Sequence, residues 1–137
     1  MDISVVIPTF NRKEQLKSCL AALCNQVTKL TWEVIVVNDG GIDVQSVVNT
    51  FDSQLELTLH NQNNSGPAKA RNKGAHLSNG KFIAFTDDDC SPSTNWLQEL
   101  FNSCESNTIV GGHTINKVDN NIYSESSQFL ISYLYNH

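Results

Sequence analysis

The sequence predicts an α/β fold whose mainly parallel sheet is flanked by helices. Short β-branched apolar runs alternate with segments of helical periodicity, and the polar clusters fall directly after the apolar runs. The composition agrees, because 39% hydrophobic and 17% charged residues suit an ordinary folded domain. At roughly 100–200 residues per domain, the 137 residues make one domain with its own core.

The first element is Ile3-Ser4-Val5-Val6-Ile7-Pro8, a β-branched run ended by proline that suits a strand buried on both faces. Asn11 stands where a helix cap is expected, with Glu14 three residues on as in a capping box. Leu16, Leu20, Leu23 and Val27 then recur at spacings of three or four, which is a helical period. Trp32-Glu33-Val34-Ile35-Val36-Val37 is the second strand, and Asn38-Asp39-Gly40-Gly41 after it are turn formers that tolerate positive φ. A weaker helix carries Val44, Val47, Val48 and Phe51, and the alternation of Leu55, Leu57 and Leu59 predicts the third strand, followed by a polar loop over 60–66. Pro67 opens a helix running to about Ser78, and Asn79-Gly80 is expected to close it with a positive-φ residue. Lys81-Phe82-Ile83-Ala84-Phe85-Thr86 is the fourth strand, and residues 91–94 open a helix burying Trp96, Leu97, Leu100 and Phe101. Thr108-Ile109-Val110-Gly111 reads as a fifth strand, and residues 122–135 as an apolar segment of near-helical spacing.

Right-handed β-α-β crossovers would bring the segments at 9–12, 38–41, 61–66 and 87–89 to one sheet edge, where ligands of open α/β sheets bind. The three carboxylates Asp87, Asp88 and Asp89 repel one another there and call for a cation. In an extended chain Asp87 and Asp89 face one side and Asp88 the other, so the outer two can share a hard divalent ion, Mn²⁺ or Mg²⁺, whose open positions take phosphate oxygens. The bland alternative is a solvated loop or a helix cap, and Asp39 taken alone is an ordinary turn former. The helix starting at Pro67 presents its amino end at this edge, with Lys69 and Arg71 adding positive charge, which favours an anion.

Several other chemistries are excluded. No glycine-rich dinucleotide fingerprint follows the first strand, and no P-loop occurs. The four histidines are too scattered for a metal site. A formal charge of -5 disfavours nucleic acid as a partner. Cys19, Cys24, Cys90 and Cys104 form no Cys-x-x-Cys pair and no secretory leader is visible, so they read as free thiols of a cytoplasmic protein. No apolar run reaches the roughly 18 residues of a membrane span.

Four segments, taken in order, resemble the family 2 glycosyltransferases of the GT-A fold: Val5 to Arg12, Val36-Val37-Asn38-Asp39-Gly40, Gly66 to Gly74, and Phe85-Thr86-Asp87-Asp88-Asp89. The resemblance implies transfer of a sugar, usually with inversion, from a nucleoside diphosphate donor, most often UDP, to a glycan or lipid-linked acceptor in polysaccharide or glycoconjugate synthesis. It implies that Pro8 and Thr9 line the nucleoside pocket with Asn11 and Arg12 beside it, that Asp39 bonds the base, and that Arg71 lies near the base or pyrophosphate. Asp87 would then reach the ribose side, Asp88 would complete the substrate-binding motif, and Asp89 with Asp87 would hold the Mn²⁺ or Mg²⁺. Gly41 stands where the family more commonly has serine.

The same resemblance predicts that residues 1–137 are the amino-terminal, nucleotide-sugar-binding portion of one glycosyltransferase domain, carboxy-terminally truncated. The acceptor site and general base are expected beyond His137, because Asp119 and Glu125 lack the family's surrounding pattern. A missing base removes about 10²–10⁴-fold of rate, so weak transfer is expected of this chain alone. The apolar end from Phe129 to Tyr135 would pack on the missing remainder or self-associate. Relatives that work on lipid-linked acceptors lead to the expectation of a cytoplasmic protein peripheral to the inner membrane face. Two other readings are a non-catalytic nucleotide-binding or assembly module, and a haloacid dehalogenase-type phosphohydrolase with Asp87 as nucleophile.

Overall fold

Strand β1 (Ile3–Thr9) is buried along its whole length because it is central in the sheet and covered on both faces. The order along the chain is β1, α1 (Lys13–Cys24), β2 (Trp32–Asn38), α2 (Gln45–Phe51), β3 (Leu57–Asn61), α3 (Pro67–Leu77), β4 (Phe82–Phe85) and α4 (Trp96–Ser103). The strands lie in the order β3-β2-β1-β4 and every pair is parallel. The computed structural model describes residues 1–105 and 108–115. All eight elements belong to a unit of residues 1–105, and residues 106–137 form a second unit.

Alternation along the strands decides which helices cover which face. Ile3, Val5, Ile7, Val34 and Val36 pack with Leu16, Cys19, Leu20 and Leu23 of α1, Val47 and Phe51 of α2, and Leu97 of α4. Ile35 and Val37 point the other way and pack with Ala70 of α3. That helix sits close to the sheet because its contact residues are small: a Cβ on Gly74 would overlap Val6 Cγ1. The register then fixes the functional edge, since Thr9 pairs with Asn38 and Asn38 with Asn61, while Val6 pairs with Phe85 and aligns residues 86–89 beside Pro8 and Thr9.

Several expectations need correction. Asn11 does not cap α1: Arg12 occupies the cap position without a side-chain cap bond, and Asn11 sits at φ 57° accepting a hydrogen bond from the Ile42 N–H at 2.9 Å. A tertiary partner has won over the local one. Val27 lies beyond the end of α1 and is exposed, its N–H donating to Thr94 O at 2.7 Å. Leu55 precedes β3, its N–H closing the turn after α2 on Phe51 O. Gly80 is not at positive φ, and α3 ends on an extended Ser78. Glycine is needed at 80 for space, because a Cβ would overlap the backbone of Ile3 and Ser4. Of the four residues expected to bury α4, only Leu97 is fully buried; Trp96, Leu100 and Phe101 are partly buried against the core.

The fifth strand does not form, since residues 108–115 carry no helix or strand. Gly111 and Gly112 provide no side chains to pack there. Asp119, Glu125 and the apolar segment over 122–135, with the self-association expected of its end over 129–135, lie outside the described residues.

Candidate functional site

The carboxyl ends of the strands open into a cleft of about 320 Å³. β1 and the loop after it contribute Pro8, Thr9, Phe10 and Arg12; the β2 turn contributes Asp39; β4 is followed by Asp87 and Asp88; α3 and its approach contribute Asn64, Gly66, Pro67 and Arg71. All four polar clusters of the sequence therefore meet at one edge. Asn11 and Asp89 are outside this lining. Asp89 borders a second hollow of about 330 Å³ with Glu14, Gln15, Ser18, Cys90 and Ser91.

Asp39 is buried and organises the approach to α3. Its Oδ1 accepts from Gln62 Nε2 at 2.6 Å and from the Ser65 N–H at 2.9 Å, and its Oδ2 accepts from the Gly66 N–H at 2.8 Å. Burial raises its pKa, but the bonds from Gln62, Ser65 and Gly66 outweigh that and hold it below the ordinary carboxylate value. Gly66 sits at φ 90° immediately before Pro67, so this carboxylate fixes the turn that aims the first turn of α3 at the cleft. Behind it, Asn38 Nδ2 donates to Ile42 O at 3.2 Å and to Asn61 Oδ1 at 3.0 Å, tying the β2 turn to β3.

The β2 turn also accounts for Gly41. It sits at φ +79°, and a Cβ would overlap Asn11 Oδ1, the atom that receives the Ile42 N–H. Asn11 thus occupies the space a serine side chain would need, and its place is in the latch between two loops.

The acidic triplet does not stay extended. The Cys90 N–H donates to Asp87 O at 3.1 Å, turning the chain at Asp88 and Asp89, so the geometry that put Asp87 and Asp89 on one side does not hold. Asp88 is buried, accepting from Thr9 Oγ1 at 2.7 Å and from Arg12 Nη1 at 3.2 Å. The same Nη1 lies 2.8 Å from Asp89 Oδ2, and Arg71 pairs with Asp87. Asp88, and to a lesser degree Asp89, hold the Arg12 guanidinium above its ordinary pKa.

These pairs differ in strength. The Asp88 side chain is only 4% exposed while Arg12 is 50% exposed, so this pair is desolvated at one end only and lies between a buried pair and a surface pair in strength. Arg12 and Asp89 are 50% and 53% exposed, a setting in which an ion pair is worth about 0–1 kcal/mol. Beneath the turn, the Cys19 thiol lies 3.6 Å from Asp87 O, and burial, with smaller contributions from Cys90 and the three aspartates, pushes its pKa up to about 12. It is a packing group and not a nucleophile.

Among the described residues no three His, Cys, Asp or Glu side chains gather into a metal cage. The carboxylates of Asp87 and Asp89 are each half exposed and of the oxygen chemistry a hard divalent ion accepts, which can take a single protein carboxylate and fill its remaining positions with phosphate oxygens and water. Gln62, Asn64 and Phe10 are the site residues that sequence reasoning missed. Asn64 and Gln62 lie in the polar loop before α3, and nothing in the sequence shows which of its amides turns inward.

A parallel sheet with crossover helices and a polar cleft at its carboxyl end defines an open α/β protein with its ligand site at the strand ends, and similarity to solved glycosyltransferase structures makes it the GT-A fold. The sequence model of Glycosyl transferase family 2 matches residues 4–137, and the chain belongs to that family. It is 36% identical over 101 residues to glycosyltransferase AglE of Haloferax volcanii, covering 70% of this chain and 33% of that protein. It is 36% identical over 99 residues to chondroitin synthase of Escherichia coli, covering 70% and 14%. The chain therefore spans a third or less of these curated relatives. The crystal structure of S. aureus TarS 1-349 in complex with UDP-GlcNAc is similar at a TM-score of 0.68 and 31% identity, covering 72% of this chain and 30% of that one. A mannosyltransferase from Pyrobaculum calidifontis in complex with GDP-Man and Mn²⁺ is similar at a TM-score of 0.58 and 27% identity, covering 64% and 27%. Family membership removes the phosphohydrolase reading. Among the described residues no helix is long and apolar enough to cross a membrane.

Proposed function

We propose that this chain is the donor-binding portion of a glycosyltransferase and that its cleft takes the nucleoside diphosphate of a sugar donor, UDP-sugar in the first instance. The observation that carries this reading is the convergence of Pro8, Thr9, Asp39, Arg71, Asp87 and Asp88 on one cleft at the carboxyl end of the sheet. A relative of the same fold holds UDP-GlcNAc, which supports the choice of nucleotide.

In this reading Pro8, Thr9 and the half-exposed Phe10 form the wall against which the nucleoside lies. Asp39 keeps the loop before α3 in place and presents a carboxylate to the N–H of a base. Arg71 and the first-turn N–H groups of α3 hold the diphosphate, as an anion is held at any helix amino end. Asp87 and Asp89 would hold Mn²⁺ or Mg²⁺, which when bound neutralises charge growing on the leaving diphosphate. Arg71 adds to that stabilisation as the bond to the sugar breaks. The acceptor hydroxyl, on a glycan or a lipid-linked sugar, would attack with inversion after giving its proton to a base outside the described residues, and the product would be a polysaccharide or glycoconjugate.

Calorimetric titration of UDP, GDP and dTDP, each with and without Mn²⁺, tests the reading. UDP binding that depends on Mn²⁺ and is lost in Asp89→Asn is the expected result. Absence of binding by every nucleotide in both conditions would overturn it.

A further inference from the structure

We propose that Arg12 is an internal counter-ion of the acidic turn: in the metal-free protein its guanidinium occupies Asp89, and it gives up that carboxylate to a divalent cation while remaining on Asp88. This rests on the reading of Asp89 as a metal ligand.

One nitrogen, Nη1, spans both carboxylates, at 3.2 Å from Asp88 Oδ1 and 2.8 Å from Asp89 Oδ2. The two are not equivalent. Asp88 is buried, and its other oxygen is fixed by Thr9 Oγ1 at 2.7 Å, so this end of the bridge cannot move without leaving a buried charge unpaired. Asp89 and the guanidinium are half in solvent, and Asp89 faces the second hollow beside Glu14 and Ser18, where an incoming ion meets it without passing the buried pair. Competition is thus confined to Asp89. A guanidinium a few ångströms from the ion also repels it, which lowers metal affinity further.

Arg12 also lines the nucleotide cleft, whereas Asp89 does not. A diphosphate in that cleft would give the guanidinium a second anionic partner and free Asp89, so metal and nucleotide would reinforce each other through Arg12. Such coupling is reciprocal by linkage.

The test is Mn²⁺ binding to the nucleotide-free protein, followed by the electron paramagnetic resonance signal of free Mn²⁺, with a melting curve for each variant. Arg12→Gln should bind Mn²⁺ about threefold to tenfold more tightly than the native chain, the range expected when one nearby positive charge is removed. Arg12→Lys, which keeps the charge, should return most of the native value. Should Arg12→Gln melt early because Asp88 has lost its cation, Arg12→Gln/Asp88→Asn is compared with Asp88→Asn alone, which carries the same loss of the buried carboxylate, and should show the same gain over it. Unchanged or weaker Mn²⁺ binding in a folded Arg12→Gln relative to the native chain, or in the double variant relative to Asp88→Asn, or no Mn²⁺ binding by any of these proteins, overturns the proposal. Asp89→Asn separates the two readings: if it leaves native Mn²⁺ binding intact, the assignment of Asp89 as ligand is itself wrong and the proposal falls with it. If Asp89→Asn weakens binding but Arg12→Gln gives no gain, only the role of Arg12 is overturned.

Discussion

The sheet carries buried carboxylates at both of its ends, and they are satisfied in opposite ways. At the amino end, Glu33 of β2 accepts from Ser4 Oγ at 2.6 Å and from the Asn79 N–H at 2.8 Å, and Ser4 Oγ in turn accepts from the Gly80 N–H at 2.8 Å. All of these partners are neutral and built into the chain. At the carboxyl end, Asp87, Asp88 and Asp89 are met by the long side chains of Arg12 and Arg71, half of whose pairing lies in solvent. The first cluster has little capacity to exchange partners and pins the end of α3 to the start of β1 and β2. The second has half-exposed partners, and it is there that the proposed exchange of a guanidinium for a metal ion would take place. A carboxylate at a strand end is structural or functional according to whether its partners can leave.

The largest effect should come from the closed end. Glu33→Ala leaves the buried Ser4 hydroxyl and the partly buried Asn79 N–H without their acceptor, and since a fully buried loss costs about 1–3 kcal/mol, the variant should lose about 3 kcal/mol in denaturant unfolding. Nucleotide affinity per folded molecule should stay at the native value; a matching loss of affinity would mean that the two ends are coupled. Next comes the latch between the loops of the open end. Gly41→Ala meets both a left-handed backbone and Asn11 Oδ1, and should cost about 2 kcal/mol, part of it regained in Asn11→Gly/Gly41→Ala. Full additivity of the two substitutions would show that the latch does not exist.

Asp39→Asn replaces an acceptor of three hydrogen bonds by an amide that donates on one side. It should weaken nucleotide binding about tenfold, or about 1.4 kcal/mol, with a smaller change in melting temperature. An equal fall in stability with no change in affinity would assign Asp39 to folding alone. The smallest effect is a shared one. Hydrogen bonds hold both Glu33 and Asp39 below the ordinary carboxylate range against the effect of burial. The unfolded chain therefore takes up their protons first, near pH 4. Their contribution is complete above that pH and is lost as pH falls through the lower native values. Acid titration of Glu33→Gln, followed by its melting temperature, should remove part of that acid sensitivity; an unchanged profile would contradict the assignment.

Much of this was legible in the sequence because it depends on period and position. Four strands and four helices follow from apolar spacing, and Asp39, Arg71 and the acidic triplet stand out because each follows a strand or opens a helix at the functional edge. What was not legible depends on partners far apart in the chain. Asn11 has the residue type and spacing of a helix cap, yet its bond goes to Ile42, 31 residues on. The extended triplet fails because Arg12, 76 residues before Asp88, and Thr9 draw that carboxylate inward. Gln62 carries no local mark at all, and only the fold brings it to Asp39, 23 residues away. Gly80 stands in the sequence where a positive φ is expected, yet closeness to β1 is what requires a glycine there.

The most direct test of the contrast between the two ends is an amide NMR titration of the chain with UDP and Mg²⁺. Resonances of Thr9, Arg12, Asp39, Ser65, Gly66, Arg71 and residues 87–89 should shift together and saturate, while those of Ser4, Glu33, Asn79 and Gly80 stay in place. Saturable shifts centred on the Glu33 cluster, or no saturable shifts at the carboxyl end, would contradict the account.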